Sequence, residues 1–284
     1  MKNFQKSDLK RLYRPTHDSN GEDNGQVTII GGSELFHGAP LLALKTASRI
    51  VDMVFFTSPE PSFGDIALSL KSELSSFIWV PWDDVDAYIK KSDAILIGPG
   101  MMRFSSEKEL PAGGKLLDKA GLITKNITER LLKNFSDKKW VIDAGSLQVM
   151  DADWIPPKAI VTPNRKEFEL LFGLKADAAN IKNMAEKYDC IVVAKGAETI
   201  IASIDGEVSV RGGNPGLTKG GSGDILAGLT VALLAKNDPL LAASAASYLE
   251  KAASDELYKK VGTNYNMDDL ADKIPEVYRN LITG

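Results

Sequence analysis

Short runs of β-branched and aromatic residues alternate along this chain with longer stretches in which apolar residues recur at helical spacing. That alternation predicts parallel strands joined by crossover helices, an α/β fold. Strands are expected at 27–30, 53–57, 77–80, 94–97, 140–142, 159–162 and 190–194, most of them apolar on both faces, as a sheet covered on both sides requires. Helices are expected at 40–51, 84–91, 127–135, 167–172, 180–188, 225–236 and 240–258. Segments 199–203 and 207–211, separated by Ile204-Asp205-Gly206, read as a late β-hairpin. The first 25 residues carry charge and turn formers with little periodicity and read as a loosely packed lead-in. No linker rich in Pro, Gly or Ser divides the rest, so residues 1–284 are expected to form a single domain.

Composition narrows the function classes. Thirty-four basic against 38 acidic side chains leave a charge of −4 with no basic run, which argues against a nucleic-acid partner held through phosphates. The longest uncharged apolar stretches, 225–235 and 239–249, fall short of the roughly 18 residues that a membrane span needs. One cysteine, Cys190, and two histidines, His17 and His37, exclude an internal disulfide and a zinc site of the usual His and Cys type. A reducing cytoplasm is the expected setting and a small molecule the expected substrate. Cys190 reads as a small buried hydrophobe, the histidines as polar loop residues, and Trp79, Trp82, Trp140 and Trp154 as packing groups.

The strongest local signal is Gly212-Gly213-Asn214-Pro215-Gly216-Leu217-Thr218-Lys219-Gly220-Gly221-Ser222-Gly223-Asp224, followed directly by an apolar helix. A glycine-rich loop that opens a helix leaves backbone N–H groups unpaired at the positive end of the helix dipole, which makes an anion site. Asp224 admits two readings. It favours the helix dipole as a cap or first-turn acid, or it acts as a general base beside a bound phosphate. The loop lacks the Gly-Lys-Ser/Thr of a Walker motif, which disfavours a P-loop. Gly31-Gly32-Ser33 and Gly98-Pro99-Gly100 read first as tight turns after strands. Asp143, at the end of a strand, either orients a hydrated magnesium ion or caps a turn.

These motifs come in one order: Gly31-Gly32-Ser33 with Gly38-Ala39-Pro40, Gly98-Pro99-Gly100, Val161-Thr162-Pro163-Asn164 with Glu167-Phe168, Lys195-Gly196-Ala197-Glu198-Thr199, and Asn214-Pro215-Gly216 with Gly220-Gly221-Ser222-Gly223-Asp224. Together they resemble the nucleotide-dependent NAD(P)H-hydrate dehydratase family, over about residues 27–258. The resemblance implies a ribokinase-like, three-layer α/β/α fold with a mostly parallel central sheet. It also implies a lyase that uses ADP or ATP, with Mg2+, to phosphorylate the 6-hydroxyl of hydrated NADH or NADPH and then expels phosphate. By position, Asp224 would be the base and would touch the substrate, and Gly220, Gly221, Ser222 and Gly223 the anion hole. Lys195, Gly196, Ala197, Glu198 and Thr199 would line the nucleotide together with Gly223; on their own they read equally as a strand end and a turn. Ala39, Gly100 and Asn164 would contact the hydrated dinucleotide. No residue is expected to ligate a metal directly.

Asp143-Ala144-Gly145 lacks the second acid that is more usual in the family. Lys219 stands where a small or apolar residue is commoner, and its ammonium is expected near the transferred phosphate. Two alternatives share the loop: a ribokinase-like kinase of a vitamin precursor, and a nucleotide-sensing protein without turnover. The alanine-rich stretch 240–248 could serve a contact between copies of the chain or pack inside one domain.

Overall fold

The computed structural model describes residues 1–104 and 119–283. In chain order the first half holds β1 (Lys2–Asn3), β2 (Gln26–Ile30), α1 (Gly38–Ala47), β3 (Met53–Thr57), α2 (Phe63–Leu70), β4 (Ile78–Trp79), α3 (Val85–Lys91), β5 (Ala94–Ile97) and α4 (Lys119–Asn134). Then come β6 (Lys139–Ile142), α5 (Ala144–Val149), β7 (Ile160–Val161), α6 (Arg165–Phe172), α7 (Ala178–Lys187) and β8 (Ile191–Ala194). The chain closes with β9 (Thr199–Ser203), β10 (Gly206–Val210), α8 (Ser222–Leu234), α9 (Pro239–Val261) and α10 (Met267–Thr283).

The strands form one sheet in the order β1-β10-β9-β8-β7-β6-β5-β2-β3-β4. All pairs are parallel except those of β9, which runs antiparallel to both β8 and β10. From β2 the chain works outward through β3 and β4, then returns to the other side of β2 at β5. The order therefore reverses between β2 and β5, the kind of position where open α/β sheets leave a crevice at the carboxyl ends of the strands.

Alternation along the strands divides the core into two layers. Val27 and Ile29 of β2 face one layer with α1, α8, α9 and α10, whereas Ile30, with Ile95 and Ile97 of β5, faces the other with α3, α4, α5, α6 and α7. The expected three-layer α/β architecture is what the chain adopts. Helix α8 is buried along its length from Ile225 to Leu234, which explains its lack of an amphipathic pattern. Its Gly228 is needed for closeness: a Cβ there would lie 2.4 Å from the Ala43 carbonyl oxygen, so α8 crosses α1 backbone to backbone. The 240–248 stretch is largely spent inside the chain, with Leu241 to Ala246 buried in α9, and does not supply a free face for another copy.

Three expectations need correction. The lead-in is not loose throughout, because β1 pairs with β10 and Phe4, Leu9 and Leu12 are buried. Helices α2, α5 and α10 are present where no helix was expected, and α4 begins at Lys119 rather than 127. Helix α10 tolerates Pro275 in its interior because its apolar face, including Leu270, Ala271, Ile274 and Val277, packs into the core. Trp140 is fully buried and donates its indole N–H to the Phe135 carbonyl at 2.8 Å, Trp79 meets the edge of Phe56, and burial pushes the Cys190 thiol up to about 12.

Candidate active site

The carboxyl ends of β2, β5, β6, β7 and β8 and the start of α8 meet at one edge of the sheet. After β2, the Gly32 N–H donates to the Pro99 carbonyl at 2.8 Å, which ties the loop after β2 to the loop after β5. Gly100, with φ +71°, lies against the Phe36 carbonyl and the Pro40 ring, where a Cβ would come within 2.6 and 2.8 Å of them. Ala39 sits in the first turn of α1, half-buried, beside this junction. Helix α1 in turn abuts the start of α8, since a Cβ on Gly221 would lie 2.5 Å from Leu42 Cδ1. The structure thus brings Ala39 and Gly100 into one continuous set of loops with the glycine-rich turn.

That turn ends in Gly221, the N-cap of α8, whose φ of +99° is a left-handed conformation that only glycine adopts freely. Among the described residues the N–H groups of Gly220, Gly221 and Gly223 have no protein acceptor. Ser222 differs. Its N–H faces the Lys219 carbonyl at 3.4 Å and its hydroxyl donates to the Leu217 carbonyl at 2.8 Å, so it anchors the turn more than it offers a free donor. Three open amides at the positive end of a 13-residue helix make a strong local field for an anion.

Asp224 occupies the third position of α8, half-buried. Burial, reinforced by the charges of Asp143 and Glu167 and opposed by Lys195, raises its carboxyl to about 7. Lys195, just past the end of β8, is the positive centre of the group. Its Nζ lies 2.9 Å from Asp143 Oδ1 and 3.8 Å from Glu167 Oε2, with the side chain 20% exposed. Burial alone would lower its pKa, but Asp143 and Glu167 outweigh that and raise it, keeping the ammonium charged. A Cβ on Gly223 would sit 3.2 Å from this Nζ, so glycine at that position leaves the ammonium beside the first turn of α8.

Asp143 precedes α5 but does not cap it with its side chain. Its Oδ1 accepts from Thr162 Oγ1 at 2.7 Å as well as from Lys195, and its Oδ2 has no protein donor among the described residues. Asn164 caps α6. Its Oδ1 accepts from the Glu167 N–H at 3.0 Å while Glu167 Oε2 accepts from the Asn164 N–H at 2.8 Å, a reciprocal capping box. The Asn164 side-chain oxygen is therefore committed, and its NH2 has no protein acceptor among the described residues. Glu167, raised above the usual carboxylate range by burial despite Lys195, was quoted in the sequence only as part of a motif and proves to be a member of the charged group. The Asn-x-x-Glu spacing before an apolar run was its one sequence signal.

Lys219 has a different task from the one expected. Its ammonium donates to the carbonyls of Thr263 and Tyr265, both at 2.5 Å, and lies over the Tyr265 ring, fastening the loop before α10 rather than facing a phosphate. Of the nucleotide candidates, Gly196, Ala197 and Glu198 are exposed, Thr199 starts β9 and is buried, and the Glu198 carboxylate pairs with Arg211 at 2.9 Å. Among the described residues no group of three or more His, Cys, Asp or Glu side chains is arranged to ligate a metal, and no helix is long and apolar enough to cross a membrane.

Comparison with known proteins gives the family and the fold. The sequence is 34% identical over 282 residues to the bifunctional NAD(P)H-hydrate repair enzyme of Methanocaldococcus jannaschii, covering 96% of this chain and 52% of that protein. It is 29% identical to the ADP-dependent (S)-NAD(P)H-hydrate dehydratase of Nitrosopumilus maritimus, covering 95% of each. The chain thus spans about half the length of the bifunctional relatives and nearly all of the shorter one. A ribokinase-like superfamily protein from Enterococcus faecalis superposes with a TM-score of 0.82 at 21% identity, over 100% of this chain and 97% of that one. The ADP/ATP-dependent NAD(P)H-hydrate dehydratase of Bacillus subtilis, co-crystallised with ATP and Mg2+, gives 0.78 at 22% identity, over 99% and 98%. The fold is accordingly ribokinase-like. Residues 27–276 match the pattern that defines NAD(P)H-hydrate dehydratases, and the chain belongs to that family.

Proposed function

We propose that this protein restores hydrated NADH or NADPH by an ADP- or ATP-dependent dehydration, with Asp224 as the base and the amides of Gly220, Gly221 and Gly223 as the anion hole. The observation that carries the reading is the pairing of three open N–H groups with a carboxyl held at about 7 in the same helical turn. A base poised near neutrality accepts the proton of the 6-hydroxyl as its oxygen attacks the terminal phosphorus of the nucleotide, while the P–O bond to the leaving nucleotide breaks. The amides and the Lys195 ammonium stabilise negative charge on the group in transfer. Phosphate is a far better leaving group than hydroxide. The ring nitrogen then expels it from C6, and loss of a proton from C5 restores the dihydronicotinamide double bond.

The donor set suits Mg2+ held through water and nucleotide phosphates. Asp143 Oδ2 is a hard oxygen acceptor without a protein donor among the described residues, and this ion prefers oxygen and keeps much of its hydration. When bound, Mg2+ would offset the phosphate charge that three neighbouring carboxylates otherwise repel. In this reading Ala39, Gly100 and the Asn164 NH2 contact the dinucleotide, and residues 195–199 line the nucleotide. The single buried cysteine accords with work in a reducing cytoplasm.

The test mixes protein, hydrated NADH, Mg2+ and either ADP or ATP, and follows absorbance of the regenerated cofactor. Regeneration that depends on nucleotide is the expected result. Phosphorylation of a hydroxymethylpyrimidine or hydroxyethylthiazole without regeneration would replace this reading with a kinase, and binding without turnover of anything would replace it with a sensor.

A further inference from the structure

Lys251, on α9, is 4% exposed, and a buried ammonium needs several acceptors to offset its lost hydration. It has three, all backbone carbonyls: Gly196 at 3.1 Å, Ala197 at 2.6 Å and Val210 at 3.2 Å. Burial lowers its pKa against the pull of Glu250, Asp255 and Glu198. Two of these carbonyls belong to successive peptide units of the loop after β8. In a trans peptide the C=O and N–H point to opposite sides. With the Gly196 and Ala197 carbonyls drawn onto Lys251, the N–H groups of Ala197 and Glu198, the other halves of the same two units, turn away from α9. Neither has a protein acceptor among the described residues, and both residues are exposed.

One turn along the same helix face, Asp255 accepts from the Gly213 N–H at 3.0 Å and from Asn214 Nδ2 at 3.1 Å, while Ser254 Oγ also meets Asn214 Nδ2 at 3.2 Å. One face of α9 therefore sets both the 196–198 backbone and the start of the glycine-rich loop that leads to the anion hole.

We infer that Lys251 is a positioning residue of the nucleotide site, holding two successive amides of the 196–198 loop outward as donors to the nucleoside part of a bound nucleotide. The inference rests on the reading that residues 195–199 line that ligand. Lys251 touches no reacting atom, so its effect falls on nucleotide affinity and not on the chemical step.

The test uses the full chain and three variants: Lys251→Met, of similar length without charge; Lys251→Arg, which keeps donors and charge; and Lys251→Gln, a neutral donor that serves if the Met variant does not fold. ADP and ATP are titrated calorimetrically with Mg2+, and steady-state constants are measured for nucleotide and for hydrated NADH. Expected is a rise of about tenfold or more in nucleotide Kd and KM for Lys251→Met, with kcat and the KM for hydrated NADH within twofold and most of the affinity recovered in Lys251→Arg. Unchanged nucleotide affinity in Lys251→Met, or a fall in kcat together with both KM values, would overturn the assignment. Failure of the unaltered protein to bind either nucleotide would overturn the functional reading itself, and this inference with it.

Discussion

The two ends of helix α8 are built from the same backbone and treated in opposite ways. At its C-terminal end the carbonyls find protein donors: Asn237 Nδ2 binds the Leu233 carbonyl at 2.7 Å, and the Lys139 ammonium lies 3.2 and 3.4 Å from those of Leu234 and Ala235. At its N-terminal end three N–H groups have no protein partner among the described residues, and a half-buried acid sits beside them. Every helix has orphan groups at both ends, and proteins normally satisfy those they bury. Under the proposed function the asymmetry separates what stabilises the fold from what is held for a ligand. Damage at one end is expected to appear in kinetics and at the other in stability.

The sharpest contrast comes from Asp224→Asn, which should lower turnover by about a hundredfold or more while leaving nucleotide affinity intact, as loss of a general base does. Near-normal rates would refute the role of the open end. The acid limb of the pH profile follows. Because the carboxyl titrates near 7 and works ionised, kcat/KM should fall about tenfold per unit below pH 7. The same shift carries a stability signature with a definite sign. The native carboxyl keeps its proton to about 7, whereas the unfolded chain releases it near 3.8, so the stabilisation is full below that lower value and is lost as pH rises toward 7. Melting curves of Asp224→Asn against the unaltered protein should therefore diverge in favour of the variant as pH increases from 4 to 8.

Gly223→Val keeps the backbone amides but places a side chain on the Lys195 ammonium. A drop of about tenfold in kcat/KM with an unchanged fold by circular dichroism is expected, since misplaced electrostatic groups cost this much or more. At the closed end Asn237→Ala removes a cap on α8 and also the acceptor for the Tyr13 N–H at 2.7 Å. Urea unfolding should show about 1–2 kcal/mol less stability with kcat and KM within twofold. The smallest effect is expected for Lys219→Ala: turnover and nucleotide affinity as in the unaltered protein, with stability lower by about 0.5–1 kcal/mol from the lost ties to Thr263 and Tyr265.

Much of the sheet was legible because its strands are short continuous runs such as Met53-Val54-Phe55-Phe56-Thr57, marked by their length and their β-branched and aromatic residues. Helix α2 was hidden by Pro59, Glu60, Pro61 and Ser62 just before it, and α10 by Pro275, residues that locally signal an end of helix and are overruled by packing. Burial of Phe4 and Leu9 depends on β1 joining β10 across about 200 residues of chain, a pairing without local trace. The open amides and Asp224 lie within five consecutive residues and could be read directly. The charges that tune them could not. Asp143, Glu167 and Lys195 come from the ends of three different strand–helix units and meet only through the strand order, and Lys219 differs from a phosphate ligand only in where its long chain happens to reach.

The crossing at Gly228 bears on how the proposed reaction would bring two ligands together. Because α1 and α8 touch through bare main chain there, the support for Ala39 and the support for the Gly220–Gly223 turn are fused into one stiff wedge, as the arms of a calliper are set by its rivet. In the proposed reaction the gap between the hydroxyl and the phosphoryl donor would be set by this crossing, and a larger residue at 228 would alter it by prying the wedge apart at the Ala43 backbone.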